Sequence, residues 1–264
     1  MLYHNTMRKI LLIIAFVVTI AVNLTFEIPL VTLFADKTLN LMATKSICNF
    51  TITAFVVALM LCYYKREIQF NIKNIGKTLL WLIPCFLVAI VNFPFSSLLS
   101  GKATVDRKNL VWLFVLYSFS IGFAEELLFR GIIHNFVKDF FKEKKNGCFY
   151  SAVISSAVFS LWHITNLFFG AGFGATLLQV GYTFLLGGMF AVVYDYTENI
   201  WYCVVLHSVF DIGGNLIFLI GSGNAQDVVF WILTAVTGAA TAVHIIFTLL
   251  KLNKRLNEKL SDCN

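Results

Sequence analysis

Charge is what this chain has least of. Of its 264 residues only 13% are Asp, Glu, Lys or Arg, while 59% are hydrophobic. So little charge cannot solvate a soluble protein of this length, and the composition points to the membrane class. Proline is equally scarce: Pro29, Pro84 and Pro94 are the only three, all in the first hundred residues. The hydrophobic stretches after them read as straight rods that hold side chains in register. The six cysteines, at 48, 62, 85, 148, 203 and 263, form no C-x-x-C pair, and several fall inside apolar stretches. They read as small apolar filler rather than a disulfide framework or a thiolate metal site. Internal repeats and low-complexity linkers are lacking too. No stretch between apolar blocks exceeds about twenty residues, which leaves no room for a soluble catalytic domain.

What is present is a series of apolar blocks long enough to cross a hydrocarbon core of about 30 Å. Eight are read, near 9–27, 46–64, 78–99, 110–134, 149–169, 173–194, 200–220 and 228–250. The fold class expected is all-α: a polytopic membrane helix bundle of eight transmembrane helices. It forms one integral membrane domain over 1–264, with a catalytic core near 110–220. The first block follows Arg8-Lys9, as a signal peptide would. Its apolar run from Ile10 to Phe26 has no A-x-A site after it and outruns the roughly 7–15 residues of a signal-peptide core, so it reads as a signal anchor.

Basic residues gather in alternate connections: Arg8 and Lys9, the loop with Lys65, Arg66, Lys73 and Lys77, the loop from Lys138 to Lys145, and the tail with Lys251, Lys254, Arg255 and Lys259. Fewer lie on the other side, at Lys37, Lys45, Lys102, Arg107 and Lys108. The positive-inside rule then puts both termini in the cytoplasm. The net charge of +6 reflects topology and attraction to anionic headgroups, not a nucleic-acid footprint. Lys142 to Asn146 reads as the turn ending the fourth helix, and Phe136 to Phe141 as its amphipathic continuation at the interface. Gly170, Gly172 and Gly174 mark a tight turn. Gly187-Gly188 and Gly213-Gly214 read as close-packing positions, the second pair with room to admit a substrate backbone beside Asp211.

Against this background six ionisable residues stand out at membrane depth: Glu125, Glu126, Arg130, His163, His207 and Asp211. Each costs about 2.5–3.5 kcal/mol at the centre of a bilayer on insertion scales and calls for a partner or a wet cavity. Their confinement to the fourth, fifth and seventh blocks points to one shared site. Adjacent helix residues diverge by about 100°, so Glu125 and Glu126 cannot share one task. Glu126 and Arg130, at i, i+4 in the favourable order, read as an intrahelical salt bridge. Glu125 has no local partner, and its company is expected from His163 and His207. His207 and Asp211 lie one turn apart on one face. His134 and His244, with no polar company in the pattern, read as packing residues.

A carboxylate in an apolar setting, beside an imidazole, can take a proton from water, and the resulting oxyanion needs donors. There is no G-x-S-x-G, no H-E-x-x-H and no Cys beside a His. Water activated by Glu is therefore the chemistry best matched to these residues. Two rivals stay open. Glu125, His163 and His207 also make a His₂Glu set of the kind that holds catalytic zinc. Intramembrane Glu and His also serve non-catalytic proteins, such as an immunity factor or a transporter.

The ordered set Glu125-Glu126-x-x-x-Arg130, Phe159-x-x-x-His163 and His207-x-x-x-Asp211 resembles the CAAX protease and bacteriocin-processing family of intramembrane glutamic endopeptidases. That family is also known as type II CAAX prenyl endopeptidase or Abi. The resemblance covers residues 125–211. It implies that Glu125 is the general base, acting with His163 on the attacking water, and that His207 is an oxyanion donor. Glu126 and Arg130 would orient the site. Asp211 stands where many family members carry Asn. An ionised Asp repels an oxyanion, so orientation of His207 is the preferred role, with a place in the oxyanion site as the other. The resulting expectation is an endopeptidase without cofactor or metal, acting on a peptide or membrane-protein substrate from within the lipid bilayer. It would sit in the plasma membrane of a prokaryote and bind no nucleic acid. Substrate identity and oligomeric state are not legible.

Overall fold

The computed structural model of the chain describes residues 32–61, 71–72 and 74–262, with scattered positions between 6 and 18 before them. In chain order, helix α1 spans Lys37–Leu59, α2 Ile75–Val91 and the short α3 Phe95–Leu99. Strand β1, Ala103–Val105, follows. Then come α4 over Lys108–Phe141, α5 over Gly147–Phe169, α6 over Phe173–Thr197 and α7 over Ile200–Ile220. Strand β2, Gly221–Gly223, and α8, Val228–Ser261, complete the chain. Among the described residues six helices are long and apolar enough to cross a membrane, with α2 a shorter apolar helix. The second to eighth expected blocks thus each meet a helix, and the fold is an all-α bundle. The first block, near 9–27, falls largely outside the described residues.

Local chemistry moves two boundaries. Helix α1 starts earlier than expected because Asp36 caps it, its carboxylate accepting from Leu39 N at 2.9 Å. Helix α8 runs on through Lys251 to Ser261 because its polar tail is docked. Asn253 and Asn257 donate to Asn146 Oδ1 at 2.8 and 3.2 Å, fixing the turn between α4 and α5. That turn, with Lys142 to Lys145, and the tail of α8 form one basic end of the bundle. At the opposite end β1 pairs antiparallel with β2, Thr104 opposite Ser222.

The expectation of straight, regular rods needs correction. Directly after Glu126 the helix widens into a π-helical stretch, Leu127–His134, before regular winding resumes. No proline is responsible. Asn135 Nδ2 donates to the carbonyls of Arg130 and Gly131 at 3.0 and 2.9 Å, supporting carbonyls that the wider turn leaves poorly paired. Helix α5 likewise tightens into a 3₁₀ segment at His163–Phe169, closed by Gly170 in the left-handed region at φ 87°.

Packing follows the small residues. α4 lies against α7 and α1, α5 against α6, and α8 against α2. A Cβ on Gly122 would stand 3.0 Å from the backbone of Ser208, and one on Gly187 would stand 3.1 Å from that of Ser156. Helices meet this closely in lipid because no side chain intervenes. Gly213 and Gly214 serve the same purpose. A Cβ on either would run into Asn92 or Phe93 at the end of α2, at 2.7–2.8 Å. At these two glycines the space beside Asp211 is therefore filled by Asn92 and Phe93, and is not open to a substrate backbone. The outer shell is apolar, with Leu80, Trp112, Phe168, Leu185, Phe218 and Val236 exposed. Helix α8 buries the smallest share of its apolar length, which leaves it the most lipid-facing of the long helices among the described residues.

Candidate active site

Glu126 is the pivot. It sits at the last regular turn of α4 before the π-helical stretch and is fully buried. Its Oε1 accepts from Arg130 Nη1 at 2.9 Å and from His207 Nδ1 at 2.7 Å. The expected i, i+4 salt bridge therefore exists, and a histidine from α7 joins it. Arg130 reaches on to Gly187 of α6, donating to its carbonyl at 3.3 Å. Its guanidinium lies over the rings of Phe159 and Phe190, at 4.4 and 5.0 Å from their centroids. The same two rings hold His207: Phe190 stacks on the imidazole at 5.2 Å, and Phe159 meets it edge-on at 5.9 Å. Cation and imidazole are thus clamped in one aromatic slot, where displaced water no longer competes for their hydrogen bonds.

With Nδ1 of His207 spent on Glu126, the other ring nitrogen defines the open side of the site. Nε2 lies 3.8 Å from Oε2 of Glu125 and 3.7 Å from Oδ2 of Asp211. Neither distance is a hydrogen bond. The Glu125 side chain is 23% exposed, but its Oε2 is buried and has no hydrogen-bond partner among the described residues. Such an atom at membrane depth is costly unless something polar completes it.

His163 stands apart from that cluster by its own bonding. It opens the 3₁₀ segment of α5, and its Nδ1 donates to the carbonyl of Phe159 at 3.0 Å. In neutral form this leaves Nε2 as an acceptor. Its ring meets Phe159 edge-on at 5.2 Å, and it lies within electrostatic reach of Glu125 and His207. Of the six residues picked out in the sequence, Glu125, Glu126, Arg130, His207 and Asp211 converge through bonds or close approach. His163 joins them through Phe159.

Several contributors were not legible in the sequence. Phe190 is one phenylalanine among 27, and no motif marks it. Asn49 of α1 lines a small cavity together with Glu125, Leu128, Phe129 and Trp162. A second buried polar cluster lies towards the basic end. His134 Nε2 approaches Asp195 Oδ1 at 3.1 Å, Lys138 Nζ approaches the same oxygen at 2.6 Å, and His134 Nδ1 meets Ser155 Oγ at 2.9 Å. His134, read from the sequence as a packing residue, is thus hydrogen-bonded at Nδ1 and within ion-pairing distance of Asp195 at Nε2. Asp195 sits near the end of its span and gave no sign of facing inward. Among the described residues, no group of three or more His, Cys, Asp or Glu is arranged to hold a metal ion.

Residues 107–213 match the family model described as type II CAAX prenyl endopeptidase Rce1-like. The match contains every motif residue named above. Comparison with curated proteins and with solved structures gave no match. Its long apolar helices mark the chain as an integral membrane protein, and over this segment it is similar to the type II CAAX prenyl endopeptidase Rce1-like family.

Proposed function

We propose that this protein is an intramembrane endopeptidase that hydrolyses a peptide bond with water activated by Glu125. One observation carries the reading: His207 is locked at Nδ1 by the Glu126–Arg130 pair while its Nε2 faces Glu125 and Asp211. A histidine held this way has one nitrogen for orientation and one for chemistry.

In the proposed reaction Glu125, assisted by His163, takes a proton from water as the water oxygen bonds to the scissile carbonyl carbon. The carbonyl electron pair moves to oxygen. His207, protonated on both nitrogens, satisfies Glu126 at Nδ1 and donates from Nε2 to that oxyanion. Asp211 stands beside Nε2 as a counter-ion rather than a hydrogen-bond partner, given the 3.7 Å between them. Collapse of the tetrahedral intermediate breaks the C–N bond, and the proton held by Glu125 passes to the leaving nitrogen. The products are a carboxylic acid and an amine.

The test is peptidase activity of the purified, detergent-solubilised chain on an internally quenched peptide library that includes prenylated CAAX peptides. Glu125→Ala and a chelator-treated sample run in parallel. Loss of about 10²–10⁴-fold in the variant, with cleavage intact under chelation, is the expected result. Chelator-sensitive cleavage restored by zinc overturns the metal-free mechanism. A folded wild type that cleaves nothing overturns the enzymatic reading in favour of a binding or immunity role.

A further inference from the structure

The cavity beside Glu125 has a volume of about 30 Å³. Roughly 10–15 Å³ suffices for a water molecule, provided two or more polar groups face it. The lining supplies Glu125 of α4 and Asn49 of α1, and most of the remainder is apolar, from Ile52, Leu128, Phe129 and Trp162.

The bonding of Asn49 fixes which way its amide points. Ser120 Oγ donates its single proton to the carbonyl of Tyr117 at 2.7 Å. Towards Asn49 it can therefore act only as an acceptor, and Asn49 Nδ2 donates to it at 3.1 Å. The relay sets the amide unambiguously, with Oδ1 opposite the nitrogen that Ser120 holds. Asn49 is buried, at 8% exposure, so this orientation is not averaged away by solvent.

We propose that Asn49 is a positioning residue for the nucleophilic water, through the cavity it shares with Glu125. This rests on the catalytic reading of Glu125 given above. A water in this cavity donates one O–H to the Glu125 carboxylate and the other to Asn49 Oδ1. Both protons are then engaged by acceptors, and a lone pair is left to meet the carbonyl carbon. His163, which does not line this cavity, assists through its interaction with Glu125 rather than by bonding the water. Glu125 removes the proton on its side, while Asn49 keeps the oxygen from rotating out of line. Misplacement of a reacting group by about 1 Å can cost on the order of 10²-fold in rate. Asn49 lies outside the segment that matches the family, which ends at residue 213 and begins at 107. The role is thus drawn from a helix that the motif does not include.

The experiment uses the full chain in detergent with the quenched peptide library as probe, comparing wild type, Asn49→Ala, Ser120→Ala and Glu125→Gln. Asn49→Ala is expected to lower kcat by about 10- to 100-fold, with KM within about twofold. Ser120→Ala, which frees the amide, lowers kcat by a smaller factor with the same split. Unchanged kcat in Asn49→Ala, beside an inactive Glu125→Gln, overturns the role of Asn49 and leaves that of Glu125 standing. An active Glu125→Gln overturns the catalytic reading itself. A lipidic-phase crystal structure of the wild type at water-resolving resolution decides the matter independently of activity or variant folding. Density for a water within hydrogen-bond distance of both Glu125 and Asn49 Oδ1 supports the proposal, and its absence overturns it.

Discussion

His207 Nδ1 and Arg130 Nη1, from two different helices, converge on a single oxygen, Oε1 of Glu126, at 2.7 and 2.9 Å. One carboxylate therefore holds both the charge balance and the orientation of the imidazole. Changes at Glu126 separate these roles. Glu126→Gln keeps the shape and is expected to lower peptidase activity by about 10- to 100-fold while the protein still accumulates. Glu126→Ala strands a buried guanidinium and is expected to destabilise the fold by about 3–5 kcal/mol. Activity and thermal unfolding in detergent, measured side by side, distinguish the two.

Arg130 should not tolerate its usual replacement. A lysine cannot bond Glu126, reach the Gly187 carbonyl and lie flat across Phe159 and Phe190 at once. Arg130→Lys is expected to lower Tm by an amount corresponding to about 1–3 kcal/mol. A Tm equal to that of wild type contradicts the clamp.

The His134–Asp195–Lys138 cluster carries a prediction about stability. Asp195 is buried, with its side chain 4% exposed, and two potential cations converge on it. Asp195→Ala is expected to cost about 3–5 kcal/mol, because a buried partner is left unpaired. Lys138→Ala, at the more exposed member, should cost visibly less. Chemical denaturation of the two variants gives the ranking.

Glycine substitutions should sort by what lies opposite. Gly213→Ala and Gly214→Ala push a methyl group to 2.7–2.8 Å from Asn92 or Phe93 and are expected to destabilise by about 1–3 kcal/mol. Gly181→Ala and Gly238→Ala face open space and should leave Tm within experimental error or raise it.

Outside the spans, the Asp36 carboxylate is hydrogen-bonded by Arg107 and by Leu39 N, which holds its pKa below the usual 3.8. A depressed pKa means the unfolded chain binds a proton first. The stabilisation is therefore complete above about pH 5 and is lost as pH falls through the lowered value. Thermal unfolding of wild type and Asp36→Asn, followed from pH 7 to pH 3, should show a gap that is constant at first and then closes.

The sequence revealed what the chain encodes locally, and little of what tertiary packing decides. The span pattern, the Glu126–Arg130 pair and the shared face of His207 and Asp211 follow from hydrophobic runs and helical spacing. The link from Glu126 to His207 does not, since 81 residues separate them and only the packing of α4 on α7 brings them together. The π-helical stretch was hidden because LLFRGIIH reads as ordinary apolar helix. Asp195 was hidden because a carboxylate near the end of a span normally faces water. Asn49 was hidden because its helix carries no motif at all.

The pairing of β1 with β2 has a consequence far from either strand. Asp106 N and Arg107 N both donate to the carbonyl of Ile220, at 3.0 Å. The start of α4 is thereby stitched to the end of α7. These are the two helices that carry Glu125 and His207, whose side chains come within 3.8 Å of each other roughly 20–25 Å further along at about 1.5 Å per residue. The stitch works like the rivet of a pair of tweezers, setting how far one tip slides past the other. Inserting a single residue between Val105 and Lys108 would offset the tips by a fraction of a helical turn. A contact as fine as the one around Nε2 of His207 would then be lost, although no residue near it had changed.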